Sequence, residues 1–308
     1  MKIRRLAIFL SVLLGLAAAQ ISYPTASFLK ALGAEPGATS FEYKGAEVSV
    51  SELAGYLYKV SYRGPAGSYE AAADVLAAAI GDEGIKQPFI DWIKKNQQKL
   101  DEAEKPVTVG VGRAFFMVIE DGPGLNFQVI PYQVPDSSFG DRGRVIGDSG
   151  VYIREYSDFE CPYCKMFYEK ALPEIEKRYV ETGKARFEFN HFPLTEIHKE
   201  SLNAAMASEC AADQGKFWEY HDSLFKNGAG DYAAKAGEAG LDAKKFGECL
   251  LSGKHRQDVL DQRQEAINLG LNGTPSVFVG PFLLPNPFDI DAYQRYIAMA
   301  QALNDQDK

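Results

Sequence analysis

Two cysteines three positions apart, in Ser157-Asp158-Phe159-Glu160-Cys161-Pro162-Tyr163-Cys164-Lys165-Met166-Phe167, constrain this chain more than any other feature. A strand-like run, Val151-Tyr152-Ile153-Arg154-Glu155-Tyr156, leads into them, and Met166, Phe167, Ala171, Leu172 and Ile175 continue after them in helical rhythm. The pair therefore stands where a strand turns into a helix. Pro162 suits the first helical turn, where its missing N–H has no intrahelical partner, and Pro173 should interrupt the same helix further on. A sulfur at such a helix start feels the partial positive charge of unpaired N–H groups, which favours thiolate over thiol. Cys161, exposed at the cap, is expected to attack, and Cys164, inside the first turn, to resolve the mixed disulfide so formed. Pro162 and Tyr163 shape the turn and tune the couple, within a range that runs from roughly −270 to −120 mV for pairs of this kind.

Two blander uses of the pair fit less well. Zinc wants four ligands, but there is no second CxxC, and His191, His198, His221 and His255 are scattered, so no metal site is expected. A purely structural Cys161–Cys164 disulfide would close so short a loop that it removes little entropy from the unfolded chain. A labile, reactive bond is the better reading.

The start of the chain bears on where such a bond is used. Met1-Lys2-Ile3-Arg4-Arg5 is basic, Leu6 to Leu16 is apolar, and Ala17-Ala18-Ala19 supplies small residues, the pattern of a secretory signal peptide over residues 1–19. An uncleaved anchor is the alternative. Cleavage removes three cations and takes the net charge from −9 to −12. So acidic a balance argues against nucleic acid and against anionic lipid, both of which call for clustered Lys and Arg.

About 290 remaining residues suit two domains. In the N-terminal half Leu53, Tyr56, Leu57 and Val60 recur at helical spacing, as do Ala72, Val75, Leu76 and Ile80, and Ile85, Phe89, Trp92 and Ile93, so three helices are expected. Alternation at Val107, Val109 and Val111, the apolar run Ala114 to Ile119, and Leu125 to Ile130 beyond Asp121-Gly122-Pro123-Gly124 predict a hairpin. Residues 20–143 thus read as a small α+β domain of unassigned role, with its boundary in the polar stretch Pro135 to Gly143. Residues 144–308 read as strand, CxxC, helix, a second strand from Ala185 to Phe189, a helical block over about 197–269, a third strand Ser276–Val279, and a closing helix. That order implies an α/β fold with inserted helices.

Four motifs in sequence carry a resemblance: Ser157 to Cys164 after a strand, Phe192-Pro193-Leu194 after the next, Glu209 to His221, and Gly273-Thr274-Pro275-Ser276-Val277-Phe278-Val279. Over about Val145 to Asp305 the chain resembles the DsbA-type thioredoxin-fold family of exported thiol–disulfide oxidoreductases. The resemblance implies a thioredoxin fold with a helical insertion, and a cis-proline loop, Thr274-Pro275, facing the sulfurs where an extended substrate peptide can pair with backbone groups. It implies a role for Glu155 as a proton relay beneath Cys164, with an ordinary strand-end carboxylate as the alternative. It also implies a second, non-catalytic Cys210–Cys249 disulfide, against two free buried thiols. Substrates would be unfolded or partly folded exported proteins, with a quinone-linked membrane oxidant as redox partner and no cofactor. The Pro-Tyr dipeptide differs from the Pro-His of strongly oxidising members, and Thr before the cis-proline is shared with isomerase and reductase relatives. Oxidation is the expected direction. The alternatives are an isomerase or reductase kept reduced by a membrane electron donor, its N-terminal domain serving dimerisation or substrate binding, and a redox-inactive binding protein on the same scaffold.

Overall fold

The computed structural model describes residues 24–103, 106–111, 115–120, 123–141 and 143–306; the signal peptide expected over residues 1–19 lies outside them. In chain order the elements are α1 (Thr25–Ala31), β1 (Ser40–Tyr43), β2 (Ala46–Leu53), β3 (Tyr56–Gly64), α2 (Tyr69–Ile80), α3 (Lys86–Asp101), β4 (Val107–Val111), β5 (Phe115–Ile119), β6 (Leu125–Pro131), β7 (Arg144–Ile146) and β8 (Val151–Ser157). There follow α4 (Pro162–Met166), α5 (Leu172–Ile175), β9 (Ala185–His191), α6 (Ser201–Ala212), α7 (Phe217–Asn227), α8 (Tyr232–Glu238), α9 (Ala243–Ser252), α10 (Arg256–Asn268), β10 (Ser276–Val279), β11 (Phe282–Leu283) and α11 (Ile290–Gln306). They divide into two compact units. One holds the residues up to Gln133 with Phe282–Asn286 and the residues from Gln294 on; the other holds Val134–Pro281 and Pro287–Tyr293.

The first unit is built on a six-stranded antiparallel sheet in the order β1-β2-β3-β6-β5-β4. Strands with one buried face alternate, and β6 does so cleanly: Leu125, Phe127, Val129 and Pro131 point inward. Tyr62 stacks on Phe127 at 5.1 Å, and Phe89 of α3 meets the same ring edge-on at 5.9 Å. Here the structure corrects the helix expected over Leu53 to Val60. Those residues lie in a β2–β3 hairpin whose turn, Ala54-Gly55, takes positive φ at both positions. Pairing skips Tyr58, since Leu57 lies opposite Glu52 and Lys59 opposite Ser51. This bulge puts Leu57 and Val60, three residues apart, on one buried face and so counterfeits a helical period.

The second unit has a mixed sheet in which β10, β8, β9 and β7 are successive neighbours. β8 and β9 run parallel, and β10 and β7 lie antiparallel to them. Helices α6 to α10 are inserted between β9 and β10, a mixed α/β architecture with the thioredoxin-fold order. The interruption at Pro173 takes the form of wide turns. Proline cannot donate to the carbonyl four residues back, and a π-helical turn, Phe167–Ala171, precedes α5, with another, Glu176–Val180, after it. Two charge networks are buried here. Arg154 donates to Glu188 at 3.0 Å, its cross-strand neighbour, and its guanidinium carbon lies 4.2 and 4.1 Å from the ring centres of Phe139 and Tyr152. Glu209 accepts from Arg144 and lies 2.9 Å from His191 Nε2; these partners hold its carboxyl at about 2 against the pull of burial.

Candidate active site

The loop from β8 to α4 is fixed by one carboxylate. Asp158, fully buried, accepts from Glu160 N–H at 2.8 Å through one oxygen, and through the other from Leu194 N–H at 2.7 Å, with His198 Nδ1 at 2.8 Å from that second oxygen. It thereby ties the approach to the cysteines to the segment after β9. Sequence reasoning passed over Asp158. Its signal was present all the same: an Asp two residues before a polar N–H, at the mouth of a helix, is an Asx turn.

Cys161 is the N-cap of α4, with φ −71° and ψ 121°, and Pro162 takes the first helical position. Both Cys161 and Cys164 carry free thiols. The Cys161 thiol is lowered from 9.0 to about 5. The largest cause is a hydrogen bond from the Cys164 thiol; Thr274 and the backbone N–H groups of Cys164 and Tyr163 add to it, and burial opposes it. Cys164, fully enclosed, is pushed well above 9.0 by burial, then by its bond to Cys161 and by the charge of Glu155. One proton shared between two sulfurs thus belongs to Cys164. The structure corrects one expectation, that Cys161 is exposed: only 5% of it is accessible. Its sulfur lies 3.5 Å from the carbonyl oxygen of Thr274, so the loop before β10 covers it. Pro162 and Tyr163 are the exposed members of the motif, Tyr163 at 62%.

The peptide bond Thr274-Pro275 is cis, and the Thr274 hydroxyl is buried. Glu155 sits on the central strand β8, between Val277 of β10 and Phe189 of β9. It is buried, one carboxyl oxygen is unpartnered, and burial raises it to about 8, with Ser157 opposing and the Cys161 charge assisting. At neutral pH this carboxyl is mostly protonated and holds a proton close to the Cys164 thiol. A carboxyl raised in the fold ionises freely only in the unfolded chain, so stability falls as pH rises from about 4.5 to about 8. Glu155→Gln is expected to flatten that fall and to stabilise the protein by a few kcal/mol at pH 8, as read from urea unfolding at a series of pH values. An unchanged pH profile would mean that Glu155 is ionised throughout.

Cys210 of α6 and Cys249 of α9 are joined in a disulfide, far in sequence from the CxxC. All four histidines sit beside carboxylates, His191 with Glu209, His198 with Asp158, His255 with Asp213 and His221 with Asp222. His221 is packed among Phe189, Trp218 and Phe225, and burial keeps it neutral.

A model of the thioredoxin family matches residues 141–299, slightly more than half of the chain. The chain belongs to the thioredoxin family. In its thioredoxin-fold part, helices α6 to α10 stand as an insertion between β9 and β10. Among curated relatives, it is 33% identical over 188 residues to Na(+)/H(+) antiporter NhaA 3 of Salinispora tropica, covering 58% of this chain and 28% of that protein. The chain thus spans only about a quarter of the length of the antiporter relatives it matches. It is 26% identical over 196 residues to the probable disulfide bond formation protein D of Bacillus anthracis, covering 59% of this chain and 87% of that one. A solved structure, oxidised BdbD from Bacillus subtilis, aligns at 23% identity with a TM-score of 0.48, over 56% of this chain and 96% of that one.

Proposed function

We propose that this thioredoxin-family chain is an extracytoplasmic thiol–disulfide oxidoreductase that oxidises exported, partly folded proteins. One observation carries the reading: the paired sulfurs at the mouth of α4 have their acidities driven apart, Cys161 down to about 5 and Cys164 far up. A substrate thiolate attacks the Cys161–Cys164 disulfide at the Cys161 sulfur, and Cys164 leaves carrying the electron pair and then a proton. A second substrate thiolate displaces Cys161 from the mixed disulfide, which leaves the substrate oxidised, Cys161 as a thiolate and Cys164 as a thiol. A membrane oxidant, quinone-linked by resemblance to the family, restores the disulfide.

The direction follows from the same acidities. Favouring the thiolate stabilises the dithiol form, and a stabilised dithiol makes its disulfide a stronger oxidant. Glu155 protonated beside Cys164 is placed to supply the proton that leaving requires, and the Thr274-Pro275 loop to meet the substrate backbone. Residues 20–143 are the part of the chain this chemistry leaves unused. The apolar leader and the Cys210–Cys249 disulfide support an oxidising compartment outside the cytoplasm. Among the described residues no helix is long and apolar enough to cross a membrane.

Equilibration of the Cys161–Cys164 couple with glutathione buffers tests the direction. A potential between roughly −180 and −120 mV is expected. A value near the −270 mV of reducing thioredoxins, on the order quoted for that class, would contradict oxidation and favour a reductase.

A further inference from the structure

We propose that the reduced form of Cys210 and Cys249 is a zinc site, completed by His255 and Asp213, so that this pair has two mutually exclusive states, disulfide and metal-bound dithiolate. Nothing in the thiol-exchange reading requires it. The ligand atoms of Cys210, Cys249 and His255 lie within 4.8 Å of one another. Asp213 brings a fourth: its Oδ2 is 2.9 Å from His255 Nε2 and 3.6 Å from Cys249 Sγ. A tetrahedron with Zn–S bonds of about 2.3 Å has sulfur–sulfur edges of about 3.8 Å, so the three gathered donors need only small movements to close on one ion, with Asp213, beside Cys249 and His255, as the fourth.

Local structure explains the gathering. Cys210 and Asp213 are three residues apart at the end of α6 and share a face. Cys249 lies on α9, which ends at Gly253 with φ +65°, a left-handed turn that brings His255 back over the helix end. The remaining His255 nitrogen, Nδ1, lies 3.7 Å from Asp258 Oδ2, so a negative charge stands on the far side of the ring. Cys210 and His255 are buried while Cys249 is part-exposed, which gives an ion a way in. Lys254 also donates to Asp213 Oδ2, at 2.8 Å, so the metal takes the other carboxylate oxygen or displaces that lysine.

The chemistry balances without a special reductant, because a newly made chain carries both cysteines as thiols. Binding Zn²⁺ releases their two protons. Oxidation passes two electrons from the thiolates to an incoming disulfide, joins the sulfurs and expels the ion; a dithiol reductant, becoming a disulfide itself, reverses this. The spacings, Cys-x2-Asp and Cys-x5-His, match no familiar zinc pattern, and only the packing of α6 against α9 brings them together.

The test uses the full chain with Cys161→Ser and Cys164→Ser, so that no other thiol competes. Disulfide and phosphine-reduced forms are titrated with Zn²⁺ against a chromophoric chelator, and with Co²⁺ to read coordination geometry. The reduced form is expected to bind one zinc per chain at least about 100-fold more tightly than the disulfide form, with a tetrahedral Co²⁺ spectrum, and His255→Ala and Asp213→Asn each to weaken it by about 10-fold or more. Circular dichroism follows the fold throughout. A smaller difference between the two forms, indifference to His255→Ala, or a reduced chain that unfolds and is not restored by zinc would each overturn the proposal.

Discussion

Cys161→Ser protein is expected to catalyse neither the oxidation of a reduced test protein nor the reduction of insulin by dithiothreitol, both rates falling to the uncatalysed background. The site assigns the two sulfurs unequal work. Cys161 holds the anion, stabilised by the Cys164 thiol and by backbone N–H groups at the start of α4, whereas Cys164 is sealed away and keeps its proton. A serine hydroxyl at 161 neither ionises near neutral pH nor forms a bond that a substrate thiolate can displace, so no mixed disulfide exists and no turnover follows. Cys164→Ser protein has no active-site disulfide to give and should not oxidise the test protein, but its Cys161 thiolate still attacks a disulfide-bonded substrate, expels one substrate thiolate and, with no Cys164 thiol to resolve the bond, accumulates as a crosslink. The serine replaces an atom of similar size at a cap, so near-ultraviolet circular dichroism should be unchanged. Rates above background in Cys161→Ser would show that the exchange runs through another sulfur.

Arg154→Met should be the most destabilising single change in the thioredoxin-fold unit, by about 3–5 kcal/mol in urea unfolding. Arg154 and Glu188 are cross-strand neighbours at the centre of the sheet, both almost wholly buried, 3.0 Å apart. Burial already raises the Glu188 carboxyl, and Arg154 is the main influence pulling it back. Removing the guanidinium leaves that buried carboxylate with Asn190 as a neutral partner and the like charge of Glu265 nearby, and also takes a cation from the rings of Phe139 and Tyr152. The sign of the pH dependence follows. With Arg154 gone, Glu188 keeps its proton in the fold while ionising freely when unfolded, so the loss grows as pH rises through the carboxylate range. Replacing both members, Arg154→Met with Glu188→Leu, should recover much of the loss, because a pair is far less costly to remove than half of one. A single variant as stable as the parent would mean that water reaches this pair.

How much of this was readable in the chain depends on distance along it. The β8–CxxC–α4 junction was legible because it is local: an apolar run, two thiols, a first-turn proline and a helical rhythm stand within thirty residues. The inserted helices and β10 were legible for the same reason. Leu53 to Val60 misled because a bulge at Tyr58 restores, in a strand, the three-residue spacing that marks a helix. The covering of Cys161 was hidden because Thr274 is 113 positions away and comes to the sulfur only by the pairing of β10 with β8. Asp158 was overlooked for the opposite reason: two of its partners, Leu194 and His198, follow β9, and without them it reads as an ordinary turn residue. The charge pairs Arg154–Glu188 and Arg144–Glu209 are likewise products of sheet register and helix packing, which no periodicity announces.

The central claim is that the Cys161 sulfur is an anion at neutral pH. Thiolate absorbance of the reduced protein, followed against pH with the Cys161→Ser variant as blank, tests it most directly. A midpoint near pH 5 is expected, with the stabilisation of the dithiol form absent below that value and building up as pH rises towards 9. A midpoint near 8.5, about that of an unperturbed cysteine, would contradict it.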